Sequence, residues 1–219
     1  MSASIDHPLL NDNRKYEYTN TNYYVRPEFP TICKWIPQGA RIIDLGCGNG
    51  SLMKYLIDRK NVSIFGMDIS ASGISHCKNH GLKAMLGRID RLETYEQFRE
   101  DEFDFAICNA TLQMTMFPEI LIRQMRRVAK QQIISVPNFA HFFNRLELLA
   151  LGRMPRFMLY GYEWYSTGHI HQLSIGNFRH FCRKLDLNIE RQYFLGRPAL
   201  LAHAIPTFFA RTGIFLCSK

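Results

Sequence analysis

The sequence predicts an α/β fold, a doubly wound and mostly parallel sheet with helices on both faces. Three observations predict it. Short apolar runs alternate with stretches of helical period along residues 41–136, and such alternation gives a parallel sheet wrapped by helices. A glycine-rich turn follows the first apolar run, where sheets of this kind keep their ligand crevice. Two later strand-like runs, 188–195 and one near 214–217, complete the sheet as an antiparallel pair.

Taken in order, residues 1–25 are polar and interrupted by Asn11, Asn13, Asn20 and Asn22, so they are expected as a loosely ordered extension. Residues 26–219 are expected to form a single domain. A short helix falls within 27–37 and stops at the turn Pro37, Gln38, Gly39. RIIDL (41–45) has the character of a strand buried on both faces. Leu52, Met53, Leu56 and Ile57 then recur at helical spacing over 51–60, with Arg59 and Lys60 in the last turn. A second strand spans 62–69, and a helix over 71–80 is stopped by Gly81. Strands follow at 83–86, 103–109 and 132–136, and Pro118 opens a helix over 118–129. The count is five strand-then-helix units. Beyond Pro137 come a long apolar helix (139–152), an aromatic stretch punctuated by glycine (152–172) and an amphipathic helix (174–187).

Composition narrows the function classes. Hydrophobic residues make up 47% of the 219 residues and charged ones 21%, which is ordinary for a globular chain. No run approaches the ~20 apolar residues of a membrane span. The first residues lack the apolar core of a signal peptide, so a cytoplasmic protein is expected. Six cysteines are scattered without a C-x-x-C pair, which argues against a metal site or a disulfide framework. A net charge of +8 would suit phosphates, yet no block of five or six basic residues occurs. Nucleic acid is therefore not the expected partner.

The segment IIDLGCGNGSL (42–52) carries the strongest signal. Gly46, Gly48 and Gly50 permit positive φ and a close approach of ligand to backbone, and the helix that follows offers free N–H groups. The spacing G-x-G-x-G is not the G-x-G-x-x-G of a dinucleotide site, whose third glycine would fall at Ser51. Asp44 precedes the turn, and Asp68 ends the second strand at an offset suited to ribose hydroxyls. Asp68 could instead cap the next helix, although Ser70 is better placed for that.

The run D-L-G-C-G-N-G followed by G-M-D-I-S resembles the class I S-adenosylmethionine-dependent methyltransferases. That resemblance implies a Rossmann-like sheet of seven strands with the last reversed, and S-adenosyl-L-methionine or S-adenosyl-L-homocysteine as ligand. It places the turn 46–50 against the methionine part, Asp68 on the ribose and Asp44 near the amino end. Asn109, closing the fourth strand, joins the candidate cofactor residues. Where the class often has a G-D pair after the third strand, this chain has Gly87 and Arg88, so Asp90 is the nearest acid for the adenine side.

A longer set of runs, including SVPNFAHFFNRLELLALGRMP and YEWYSTGHIHQLSIGNF, is similar to the methionine biosynthesis protein MetW family from about Pro27 onward. The family's W-Y-D-T-P-N-I-H reads W-Y-S-T-G-H-I-H here. This resemblance implies a SAM-binding partner of a homoserine O-acetyltransferase or succinyltransferase. The alternative is an active methyltransferase on a small metabolite. An RNA methyltransferase rests on charge alone.

No catalytic motif stands out. The place of an N-P-P-Y signature holds Asn109, Ala110, Thr111 and Leu112, and Asn138 follows the fifth strand instead. His141, His169 and His171 are the candidate bases, each equally readable as a histidine packed among Phe142, Trp164 and Tyr165. His169 and His171 lack a third metal ligand. Arg153, Trp164 and Tyr165 have the composition of interface anchors, or else of a lid packed on its own core.

Overall fold

A computed structural model describes residues 22–159, 164 and 167–219. The sheet begins with β1 (Arg41–Leu45), β2 (Ser63–Asp68), β3 (Lys83–Leu86), β4 (Phe103–Asn109) and β5 (Ala129–Pro137), all parallel. Two strands complete it, β6 (Asn188–Gly196) and β7 (Ala210–Ser218). The order is β3-β2-β1-β4-β5-β7-β6. β7 runs antiparallel to both β5 and β6; its pairing with β6 is the antiparallel pair the pattern predicts. β1 leads to β2 on one side and touches β4 on the other, so the strand order reverses between them. In open α/β sheets such a reversal is where the ligand crevice lies, at the carboxyl ends of the strands.

Alternation along the strands feeds two cores. One face carries Ile42, Ile64, Phe105, Ile107, Ile133 and Ile214 against α1 (Phe29–Trp35), α2 (Ser51–Lys60) and α3 (Ala71–Asn79). The other carries Ile43, Leu45, Met67, Cys108, Ile134 and Phe215 against α4 (Pro118–Val128) and α6 (Ile175–Lys184). Strands buried on both faces have no polar alternation to show, which is why RIIDL reads as one apolar run.

The structure differs from expectation in four places. β3 is followed by a single 3-10 turn at Glu93–Tyr95 and not by a helix, so the count of five strand-then-helix units fails there. The helix expected over 139–152 is α5 (Phe142–Leu151). Phe139 N–H is already spent on Leu173 O, and His141 caps the helix by accepting from Phe143 N–H at 3.3 Å. More unexpectedly, α5 buries only Asn144, and Leu149 is 84% exposed. Its leucines, Leu146, Leu148, Leu149 and Leu151, surround the helix and are exposed, while Phe142 packs on Phe208 and Phe209. Two short helices, α7 (Ala199–Ala204) and α8 (Pro206–Phe209), fill the link between β6 and β7. Of the polar extension, residues 1–21 lie outside the described residues, and residues 22–25 lie against the start of α2.

Asn138 ties the carboxyl end of the sheet together. It is fully buried, and its Nδ2 donates to Ala210 O at 2.8 Å, Thr207 O at 3.0 Å and Pro206 O at 3.3 Å. Its Oδ1 accepts from Ile175 N–H at 3.4 Å. One side chain thus joins β5, α8, β7 and α6.

Candidate ligand site

The crevice between β1 and β4 is floored by the turn after β1. Gly46 and Cys47 donate their N–H groups to Met67 O at 2.8 and 3.2 Å, which binds the turn to β2. Asp68, at the end of β2, accepts from Gly48 N–H at 2.7 Å on one oxygen and from Ser70 N–H at 2.8 Å on the other. Ser70 Oγ in turn accepts from Gly73 N–H and caps α3. The cap of α3 is thus Ser70. Asp68 is not a helix cap, but it does close the glycine turn.

The glycines have protein neighbours as well as conformational reasons. Gly46 has φ +86°, and a Cβ there would meet Thr111 Oγ1 at 2.5 Å. Gly50 has φ +80°, and a Cβ would meet Leu82 Cδ1 at 2.5 Å and Cys77 Sγ at 2.9 Å. At these two positions the missing side chain makes room for the fold's own atoms, where the sequence pointed to room for a ligand.

Asp44 sits beneath this turn, 1% exposed, with Oδ2 buried and unbonded. Burial, and secondarily the charge of Asp68, push its carboxyl up to about 7. A buried carboxylate without a donor is costly, so a cationic group arriving here would meet an acceptor already in place.

Asp90 is differently engaged. Arg88 reaches it through two hydrogen bonds of 3.1 Å, and Met116 and Phe117 donate their N–H groups to it at 2.8 and 3.3 Å. Burial would raise this carboxyl, but Arg88 and the two amides outweigh burial and hold it below its ordinary value. The acid is committed to fixing the loop before α4. Arg88, which departs from the usual pair, is its counter-ion. Around this end of the crevice Ile69, Leu86, Met116 and Phe117 are exposed, an apolar rim the sequence reading missed. Its signal is the apolar residue directly after the strand-end acid.

On the β4 side, Asn109 Oδ1 accepts from Ser135 Oγ at 2.7 Å, and Ala110 takes a positive φ of 53°. Gln113 is buried; its Nε2 donates to Ala110 O at 2.7 Å and its Oε1 is buried without a hydrogen bond. Gln113 O accepts from Ile170 N–H at 2.9 Å and His171 N–H at 3.0 Å. The stretch holding His169 and His171 is therefore pinned to the loop after β4. His141 is engaged elsewhere: it caps α5 and lies 4.9 Å from the Phe157 ring. Burial and then Arg211 lower its pKa. Thr111 and Gln113 were not singled out in the sequence, where their run carries no recognisable pattern.

Arg153 pairs with Glu147 at 2.9 Å on the exposed surface beside α5, and Trp164 is 66% exposed. Tyr165 lies outside the described residues. All six cysteines are free and buried. Among the described residues no cluster of three metal-ligating side chains occurs, and no helix is long and apolar enough to cross a membrane.

A seven-stranded sheet with its last strand reversed, helices on both faces and a glycine turn at the point of reversal define the class I methyltransferase fold. An S-adenosylmethionine-dependent methyltransferase from Mesorhizobium loti superimposes with a TM-score of 0.64 at 17% identity, over 88% of this chain and 97% of that one. A SAM-dependent methyltransferase from Archaeoglobus fulgidus gives 0.64 at 13%, over 88% and 91%. Within that class, the chain belongs to the methionine biosynthesis protein MetW family, whose model matches residues 26–217. A relative from Rhodopirellula baltica, named bifunctional methionine biosynthesis protein MetXA/MetW, is 27% identical over 205 residues, 84% of this chain and 31% of the relative. A ubiquinone biosynthesis O-methyltransferase from Hahella chejuensis is 32% identical over 95 residues, 42% of this chain and 40% of that protein. The chain spans less than half the length of these curated relatives.

Proposed function

We propose that this MetW-family chain binds S-adenosylmethionine or S-adenosylhomocysteine at the β1–β4 crevice and supports a homoserine O-acyltransferase in the cytoplasm. The observation that carries the ligand reading is Asp44, a buried carboxylate with no hydrogen bond beneath the glycine turn. The ligand's ammonium group has the charge and donors that this carboxylate lacks. Asp68 is a buried acid at the end of β2 beside the glycine turn, a place and a chemistry that suit ribose hydroxyls. Asp90 is already committed, so the adenine would rest on the apolar rim near Ile69 and Leu86 and on backbone groups. When bound, S-adenosylmethionine would supply an activated methyl group.

The partner reading is supported by the Rhodopirellula relative, whose name joins MetXA and MetW in one chain, and by the uncovered apolar surface of α5 beside Arg153 and Trp164. The test is co-elution with a homoserine O-acyltransferase, together with a ligand melt and an acyl-transfer assay. A complex, a raised acyl-transfer rate and a melting temperature raised by S-adenosylmethionine are expected. Neither association nor a rate change would overturn the partnership, and no thermal shift at millimolar ligand would overturn the ligand assignment.

A second reading, methyl transfer to a small metabolite, is favoured by the O-methyltransferase relatives and by the histidine stretch pinned at Gln113. Turnover of a labelled methyl group would establish it.

A further inference from the structure

Residues 22–25 precede the family match, which starts at Arg26, yet they are built into the glycine turn. Tyr24 N–H donates to Ser51 Oγ at 3.2 Å, and Asn49 Nδ2 donates to Asn22 O at 3.5 Å. Ser51 Oγ donates onward to Asn49 Oδ1 at 2.7 Å, which also accepts from Ser51 N–H at 3.2 Å. Asn49 and Ser51 flank Gly50 and are both buried. On the other side the Tyr23 ring stands edge-on to His76 at 5.3 Å and to His80 at 5.6 Å. The two imidazoles stack at 4.1 Å, and His76 Nδ1 donates to Asn49 O at 2.9 Å. Asn49 is thus gripped twice, its carbonyl by His76 and its side chain by the arm. Tyr23 Oη is buried without a hydrogen bond, so the ring, and not the hydroxyl, makes the contact.

We infer that residues 22–25 are a clamp that holds the glycine turn in its ligand-receiving shape, with Tyr23 the positioning residue that acts through His76 on Asn49. The inference rests on the reading of that turn as the ligand site. Its physical basis is the turn's own composition. Gly46, Gly48 and Gly50 all take positive φ, and a turn with so much glycine loses much conformational freedom when fixed. A clamp fixes the turn before the ligand arrives, so that loss is not charged against binding. The arm lies just ahead of the residues that the family model matches.

Calorimetric titration of the full chain with S-adenosylmethionine tests it, at a temperature where melts show every variant folded. Tyr23→Ala is expected to weaken binding by about threefold to tenfold, the scale of one aromatic pair, while Tyr23→Phe binds as the parent does. Because Tyr23 acts through His76, adding Tyr23→Ala to His76→Ala should cost less than Tyr23→Ala does alone. If the parent binds and Tyr23→Ala binds equally well, the clamp is overturned and the ligand site stands. Equal losses for Tyr23→Phe and Tyr23→Ala, or full additivity with His76→Ala, would overturn the assigned route through the ring. A parent that does not bind removes the ligand reading and the clamp with it.

Discussion

Asp44 and Asp68 are both strand-end acids beside one turn, and their surroundings separate their roles. Asp68 has two amide donors, whereas Asp44 has none and is raised to about 7 by burial and by Asp68. The folded state therefore keeps a proton on Asp44 that the unfolded chain has lost between about pH 4 and pH 7. This group's contribution to stability falls as pH rises through that window and levels off above it, by a total on the order of 4 kcal/mol. The melting-temperature gap between Asp44→Asn and the parent should accordingly shift in the variant's favour from about pH 5 to about pH 8. A gap that stays constant would show that Asp44 titrates normally. Ligand affinity should rise with pH over the same window in the parent, because a cation favours the ionised form. For Asp68→Ala two losses are expected together: about 2–3 kcal/mol of stability as Gly48 and Ser70 lose a charged acceptor, and about a hundredfold in ligand affinity. Denaturant titration and calorimetry measure the two. Retained stability would mean that water replaces the carboxylate at both amides. The sequence singles out both acids by their spacing to the glycines, and the structure sets both beside the turn. The sequence did not reveal that Asp90 is already engaged, because Met116 and Phe117 lie 26 and 27 residues away along the chain.

α5 shows where reading by period stops at the level of an element. Its residues are apolar and helical in propensity, so the sequence predicts a long apolar helix over 139–152, and a helix does form over Phe142–Leu151. What periodicity does not reveal is that its leucines surround the axis and face solvent. Burial depends on what packs alongside, and that is decided by segments remote in sequence. Leu149→Glu should leave stability unchanged within about 0.5 kcal/mol, as for other open surface sites. Co-elution with the acyltransferase should be lost if α5 is the docking face, while ligand binding persists. A variant that co-elutes as the parent does would move that face elsewhere. Asn138 is the opposite case, a polar residue at the end of an apolar strand that holds α6, α8 and β7 in place. Asn138→Ala removes the side-chain donor to three carbonyls and the acceptor of the buried Ile175 N–H and should cost about 3 kcal/mol by denaturant titration. α7 and α8 were not legible because a segment of six residues and one of four are too short to establish a helical period.

For the molecule as a whole, the parallel half was legible because each strand is a local apolar run and each crossover is local in sequence. The antiparallel end was legible in kind, since two strand-like runs remained after the helices were assigned. Its order was not, because β7 inserts between β5 and β6 while β6 comes earlier in the chain. That insertion also sets a timetable for synthesis. When β6 leaves the ribosome it has no strand to pair with, since β5 does not touch it in the sheet. Until residues 210–218 emerge, β5 presents an open edge, and α6 and β6 wait beside it. A chain stopped at Phe209 should therefore lose two strands together and melt without a cooperative transition, as scanning calorimetry would record. The nascent protein is exposed to edge-to-edge association until those nine residues are made. A chaperone that covers the edge of β5 over that interval would then lower such association.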